Sequence, residues 1–164
     1  MENMGRGTER GPHPVSVRSF ARGFRPHHPR LRGAVRRVLF AEGFPRGRVS
    51  VVFVTDRTMA RINRQFTGRT GPTDVLAFDL RGGVPGHEYD DEVAGEVLVS
   101  VDRARDQARV ARVPLREEIA RLVIHGLLHL AGHDHEDAAG RRRMRRREEH
   151  WLREEAQGWG WTRK

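Results

Sequence analysis

Cysteine is absent from this 164-residue chain, so neither a disulfide nor a thiolate zinc site is available to it, and nothing argues for an oxidising compartment. No apolar run approaches the length of a membrane span. Residues 1–14 are rich in Gly, Arg and Pro but have no apolar centre of the kind a signal peptide needs, so they are expected to be a disordered leader, with Met4 as an alternative start. No internal repeat is visible. Lysine is nearly missing too: of 31 basic residues, only Lys164 is a lysine. The net charge of +9 favours a polyanionic partner such as nucleic acid. A genome-wide bias towards arginine would produce the same balance, so charge alone does not decide.

The chain is long enough to bury a core without staples, and a single domain over 15–157 with a tail at 158–164 is expected. Val15 to Phe20 alternates as a short strand. Pro29 suits a first helical turn, the apolar stripe Leu31, Ala34, Val35, Val38 and Leu39 follows, and Gly43 closes the helix. Arg32, Arg36 and Arg37 are expected on its solvated face. Val49 to Val54 is largely β-branched and nearly all apolar, as in a strand covered on both sides. Thr55 or Asp56 can cap a helix carrying Met59, Ile62 and Phe66. Asp74 to Leu80 and Gly95 to Ser100 read as strands on either side of a Gly-, Pro- and acid-rich loop. Helices then follow over about 101–110, from Pro114, and over about 137–155. This β-α-β-α-β-β-α-α-α order predicts an α+β fold with one mixed sheet of about four strands and helices packed on it.

Four of the nine histidines fall between 125 and 135. His125 and His129, four apart on a helix, project from one face. Gly132 ends that helix and a third imidazole follows, from His133 or His135. Lone histidines near a helix end commonly serve only the dipole and the last carbonyls. Several together among Leu122, Val123, Ile124, Leu127, Leu128 and Leu130 need partners, which a metal supplies. Three protein ligands leave one position of a zinc ion open for water, the pattern of a metal-dependent hydrolase. The residue after the first histidine is Gly126, where the common metalloprotease helix carries its general-base Glu. A peptidase of that type is therefore disfavoured, and a hydrolase built on this site must find its base elsewhere or use metal-bound hydroxide, which zinc makes available near neutral pH.

The run from His125 to His135, H-G-L-L-H-L-A-G-H-D-H, resembles the H-G-x-L-H-L-x-G-Y-D-H signature of the YbeY family of bacterial endoribonucleases. Pro72 to Phe78 resembles the family's P-T-D-V-L-S-F strand, Ile62-Asn63 its L-N, and Gly95 to Ser100 its G-D-I-x-I-S strand. Met144 and Glu148 fit the spacing of its last helix, so the likeness runs over about residues 45–155. It implies one zinc per chain held by His125, His129 and His135, with His125 at the centre of catalysis. It also implies cleavage of single-stranded RNA, maturation of the small-subunit ribosomal RNA 3′ end, ribosome quality control, contact with the small subunit and a cytoplasmic location.

Two positions depart from the pattern. Thr67 stands where many members carry an Arg important for activity, leaving Arg69 or Arg64 as candidate phosphate contacts. His133 replaces the signature Tyr and, four residues after His129, competes with His135 for the metal. The signature and the turn at Gly132 favour His135. Asp134 and Glu136 could orient an imidazole or move a proton, or only cap and solvate, and Asp74 could simply orient its turn. Arg141 to Arg147 is either a salt-bridged face or a phosphate patch. Trp151 is expected in the core, whereas Trp159 and Trp161 could stack on bases. The competing functions are a zinc-stabilised ribosome-assembly or RNA-binding factor without catalysis, and a zinc hydrolase of another substrate.

Overall fold

A computed structural model of the chain describes residues 13–81, 93–133 and 137–155. The elements run β1 (Val15–Ser19), α1 (His28–Ala41), β2 (Arg48–Val54), α2 (Asp56–Thr67), β3 (Val75–Asp79), β4 (Val93–Ser100), α3 (Val101–Ala111), α4 (Leu115–Leu130) and α5 (Ala138–Glu155). This is the order expected from the sequence, and the sheet is mixed and four-stranded. Strands β1, β2 and β4 are parallel, β3 runs antiparallel along β4, and the order across the sheet is β1-β2-β4-β3.

The near-continuous apolar run of β2 is explained by cover on both faces. Val49, Val51 and Phe53 point to one side, where Val97, Val99, α1 and α4 complete the main core. Val52 and Val54 point to the other, with Leu98 and Met59. Thr55 caps α2 by accepting from Thr58 N, and Ser100 caps α3 from the end of β4. Trp151 is buried in the main core, as expected. The stretches 1–12 and 156–164, with most of the expected leader, Trp159 and Trp161, lie outside the described residues; His13, near the leader's end, is buried.

Gly126 sets how closely α4 approaches the sheet. A Cβ added there would stand 2.5 Å from Val97 Cγ1 and 3.2 Å from Val75 Cγ2. No larger side chain fits without pushing helix and sheet apart, at a cost of about 1–3 kcal/mol for overpacking. The position that would hold a metalloprotease Glu is thus filled by the sheet itself.

One expectation needs correcting. The arginines of α1 do not form a purely solvated face. Arg37 donates from Nε and Nη2 to the Glu155 carboxylate at 2.7 and 2.6 Å, and Arg36 Nε donates to the His13 carbonyl at 3.2 Å. Glu155 lies 118 residues from Arg37, so no local periodicity could have revealed a bond that ties α1 to the end of α5.

Candidate metal centre

Helix α4 is buried nearly all round. Between Arg121 and Leu130, every position is buried except Arg121, His125 and His129, which are partly exposed. These three are spaced by four and therefore form a single stripe along the helix. The apolar residues between them anchor the helix, so the stripe is held on a rigid support.

On that stripe, His125 Nε2 and His129 Nε2 lie 3.0 Å apart, with ring centroids 4.6 Å apart and planes at 71°. Two nitrogens bound to one tetrahedral zinc at about 2.0–2.1 Å would be about 3.3 Å apart. The observed pair needs to open by only a few tenths of an ångström to share an ion. His125 Nδ1 bonds the Glu148 carboxylate from α5. A carboxylate accepts only, so Nδ1 carries the proton and Nε2 presents its lone pair towards His129. A ligating imidazole is commonly fixed in this way by a carboxylate behind it. The donor set and its tautomer therefore fit a divalent ion.

His133 goes elsewhere. Gly132 takes a left-handed φ of 89°, which ends the helix and turns the chain. His133 Nε2 then donates to Glu42 Oε2 at 2.8 Å. The same carboxylate accepts from Trp151 Nε1 at 2.6 Å and Arg147 Nη2 at 2.8 Å. Burial works to raise the Glu42 pKa, but the bonds from Trp151, Arg147 and His133 outweigh it and hold the group below the usual carboxylate range. Among the described residues, no three His, Asp or Glu side chains converge to hold a metal, so His133 does not join His125 and His129 there. His135, Asp134 and Glu136 lie outside the described residues.

The two proposed phosphate contacts lie on and after the last turn of α2. Arg64 and Arg69 are exposed at the end of α2 and just after it. Arg69 has its backbone N–H on Thr67 Oγ1 at 3.3 Å. Thr67 folds back on its own helix, its hydroxyl 2.7 Å from both the backbone and side-chain oxygens of Asn63. Asn63 donates in turn to the Gly71 carbonyl at 2.9 Å, which secures the loop leading into β3. Asp74 accepts from Val75 N at 2.8 Å and from Gln107 Nε2 at 2.9 Å. It orients its turn and links β3 to α3. In the Arg141–Arg147 run, Arg147 reaches inward to Glu42, and Met144 faces the core.

Sequence reasoning assigned no role to three residues at this site: Glu148, Glu118 and Arg121. Glu118 is buried to 3% exposure and pairs bidentately with Arg121, with Nε to Oε2 at 3.0 Å. That bond raises the Arg121 pKa against the effect of burial, and the nearby Glu148 and Asp74 carboxylates add to it. The available signal was the four-residue step from Arg121 to His125 on one helix face.

A family model described as Endoribonuclease YbeY matches residues 29–155. Endoribonuclease YbeY of Pelotomaculum thermopropionicum is 41% identical over 124 residues, 74% of this chain and 82% of that protein. Its counterpart in Persephonella marina is 40% identical over 106 residues, 65% of this chain and 68% of that protein. The solution structure of TM1509 from Thermotoga maritima superposes with a TM-score of 0.60 at 26% identity, covering 88% of this chain and 91% of that one. The matched span holds β2, β4 and the whole of α4, so the helix that presents the paired imidazoles lies within the shared part: the chain belongs to the endoribonuclease YbeY family.

Proposed function

We propose that this protein is a zinc-dependent endoribonuclease that cuts single-stranded RNA, acting in the cytoplasm on the 3′ end of small-subunit ribosomal RNA and in ribosome quality control. The observation that carries this reading is the convergence of His125 Nε2 and His129 Nε2, backed by Glu148, in a chain of this family. His125, His129 and His135 would hold the ion, leaving one position for water or a phosphate oxygen. Bound there, zinc would supply Lewis-acid activation of water and of the phosphodiester. The chain's own part is to hold His125 in one tautomer through Glu148 and to keep the imidazole pair on a helix that cannot shift against the sheet. Gly126 removes the usual helix-borne base, so proton transfer falls to a group off α4 or to solvent. The cationic surface supplies the attraction for RNA, consistent with a net charge of +9. No described helix is long and apolar enough to cross a membrane.

The test uses purified protein loaded with stoichiometric zinc and a labelled single-stranded RNA carrying the rRNA 3′ region. Cleavage that disappears in His129→Ala, with RNA binding retained, supports the nuclease. Tight RNA binding without cleavage in any metal state points to an assembly factor instead. The inactive variant must be prepared identically, so that a contaminating nuclease shows itself.

A further inference from the structure

We infer that Arg121 is a catalytic-site cation that binds the RNA phosphate next to the one being cut. This rests on the endoribonuclease reading above and adds a residue to it. On α4 only Arg121, His125 and His129 break the buried surface between positions 121 and 130, so whatever lies on the imidazole pair also lies along Arg121. One helical turn separates it from His125, about 5–6 Å between Cβ atoms. That step is similar to the distance from one phosphate to the next along a nucleic-acid strand.

The guanidinium is also pre-positioned. Glu118, buried to 3% exposure, holds it by Nε and Nη2. Five N–H groups are available on a guanidinium, and this pairing uses two of them, leaving Nη1 to meet a phosphate oxygen. The Arg121 side chain keeps 37% of its exposure against 4% for Glu118, so the carboxylate anchors it while the cation remains reachable. Glu148 and Asp74 stand near the same guanidinium and would repel RNA if Arg121 were removed.

Arg121→Ala would strand the buried Glu118 carboxylate and can fail to fold for that reason alone. The double variant Glu118→Gln with Arg121→Gln removes both charges together. Zinc-loaded parent and double variant are assayed on a single-stranded RNA, and on the same RNA with a neutral methylphosphonate at the linkage on either side of the cut. Losing one charge-assisted bond predicts a drop of about 10- to 100-fold in kcat/KM, mainly through KM, at unchanged zinc content. The slope of log kcat/KM against log salt should flatten by about 0.7 for one single-strand phosphate contact. One of the two methylphosphonates should slow the parent and leave the double variant no slower. Arg121→Lys should recover part of the loss.

If the double variant cleaves like the parent, loses zinc in proportion to activity, or suffers the same methylphosphonate penalty, Arg121 does not bind that phosphate. If the parent itself leaves RNA intact, the nuclease reading falls and this inference with it. A parent that cuts and a variant that cuts equally well overturn the inference alone.

Discussion

Two histidine–glutamate pairs, His125–Glu148 and His133–Glu42, share one chemistry and serve opposite ends. In each, a ring nitrogen meets a carboxylate supplied by a distant element. Glu148 leaves the far side of its imidazole facing a second imidazole 3.0 Å away, so the carboxylate acts as a backing that orients a ligand. Glu42 also accepts from Trp151 and Arg147, so its histidine becomes one strut among several joining α1, the turn after α4, and α5. The neighbours of the carboxylate, more than the imidazole itself, separate a metal ligand from a clamp.

The largest effect should come from the clamp. Glu42→Ala leaves His133, Arg147 and Trp151 without their shared acceptor and should cost about 2–4 kcal/mol. Urea unfolding at neutral pH would read this as a lower midpoint at unchanged slope. A loss below about 0.5 kcal/mol would erase the distinction between the two pairs.

Glu148→Gln should do the reverse. Zinc affinity, measured by competition with a chromophoric chelator, should fall about 10- to 100-fold, while the urea midpoint moves far less than for Glu42→Ala. Equal loss of stability in the two variants would make both glutamates clamps.

Acid should also weaken the clamp. The Glu42 pKa is held below its ordinary value of 4.5, so the folded state binds that proton less readily than the unfolded chain. Its contribution is complete above the ordinary carboxylate range and drains away as pH falls through the lower, folded-state pKa. Between about pH 5 and pH 3 the parent should therefore lose more stability than Glu42→Gln. Parallel acid titrations of the two would contradict this.

The smallest change is expected for His133→Tyr. A tyrosine hydroxyl can also donate to Glu42, so stability should shift by less than about 1 kcal/mol and zinc stoichiometry should not change. A drop in bound zinc would make His133 a ligand after all.

Period and punctuation carried most of the fold. The double-sided apolar run of β2 and the stripe of α1 needed only local sequence to be read, as did the cap at Thr55 and the stop at Gly132, because each reflects an interaction within a few residues. The four-residue step from His125 to His129 was legible for the same reason, since helix geometry alone puts both rings on one face. The choice between His133 and His135 was not legible from spacing, and Glu42 lies 91 residues from His133. Glu148 fitted a family spacing, yet its bond to His125 crosses 23 residues and two helices.

Local chemistry in the chain thus determined the elements, the paired imidazoles and the absence of a helix-borne base. Only the packing of α1, α4 and α5 decided which glutamate stands behind which histidine, and that Arg121 shares the exposed stripe. The physical reason is range: propensity and periodicity act over a turn or two, whereas a buried carboxylate is satisfied by whichever donors the fold delivers to it.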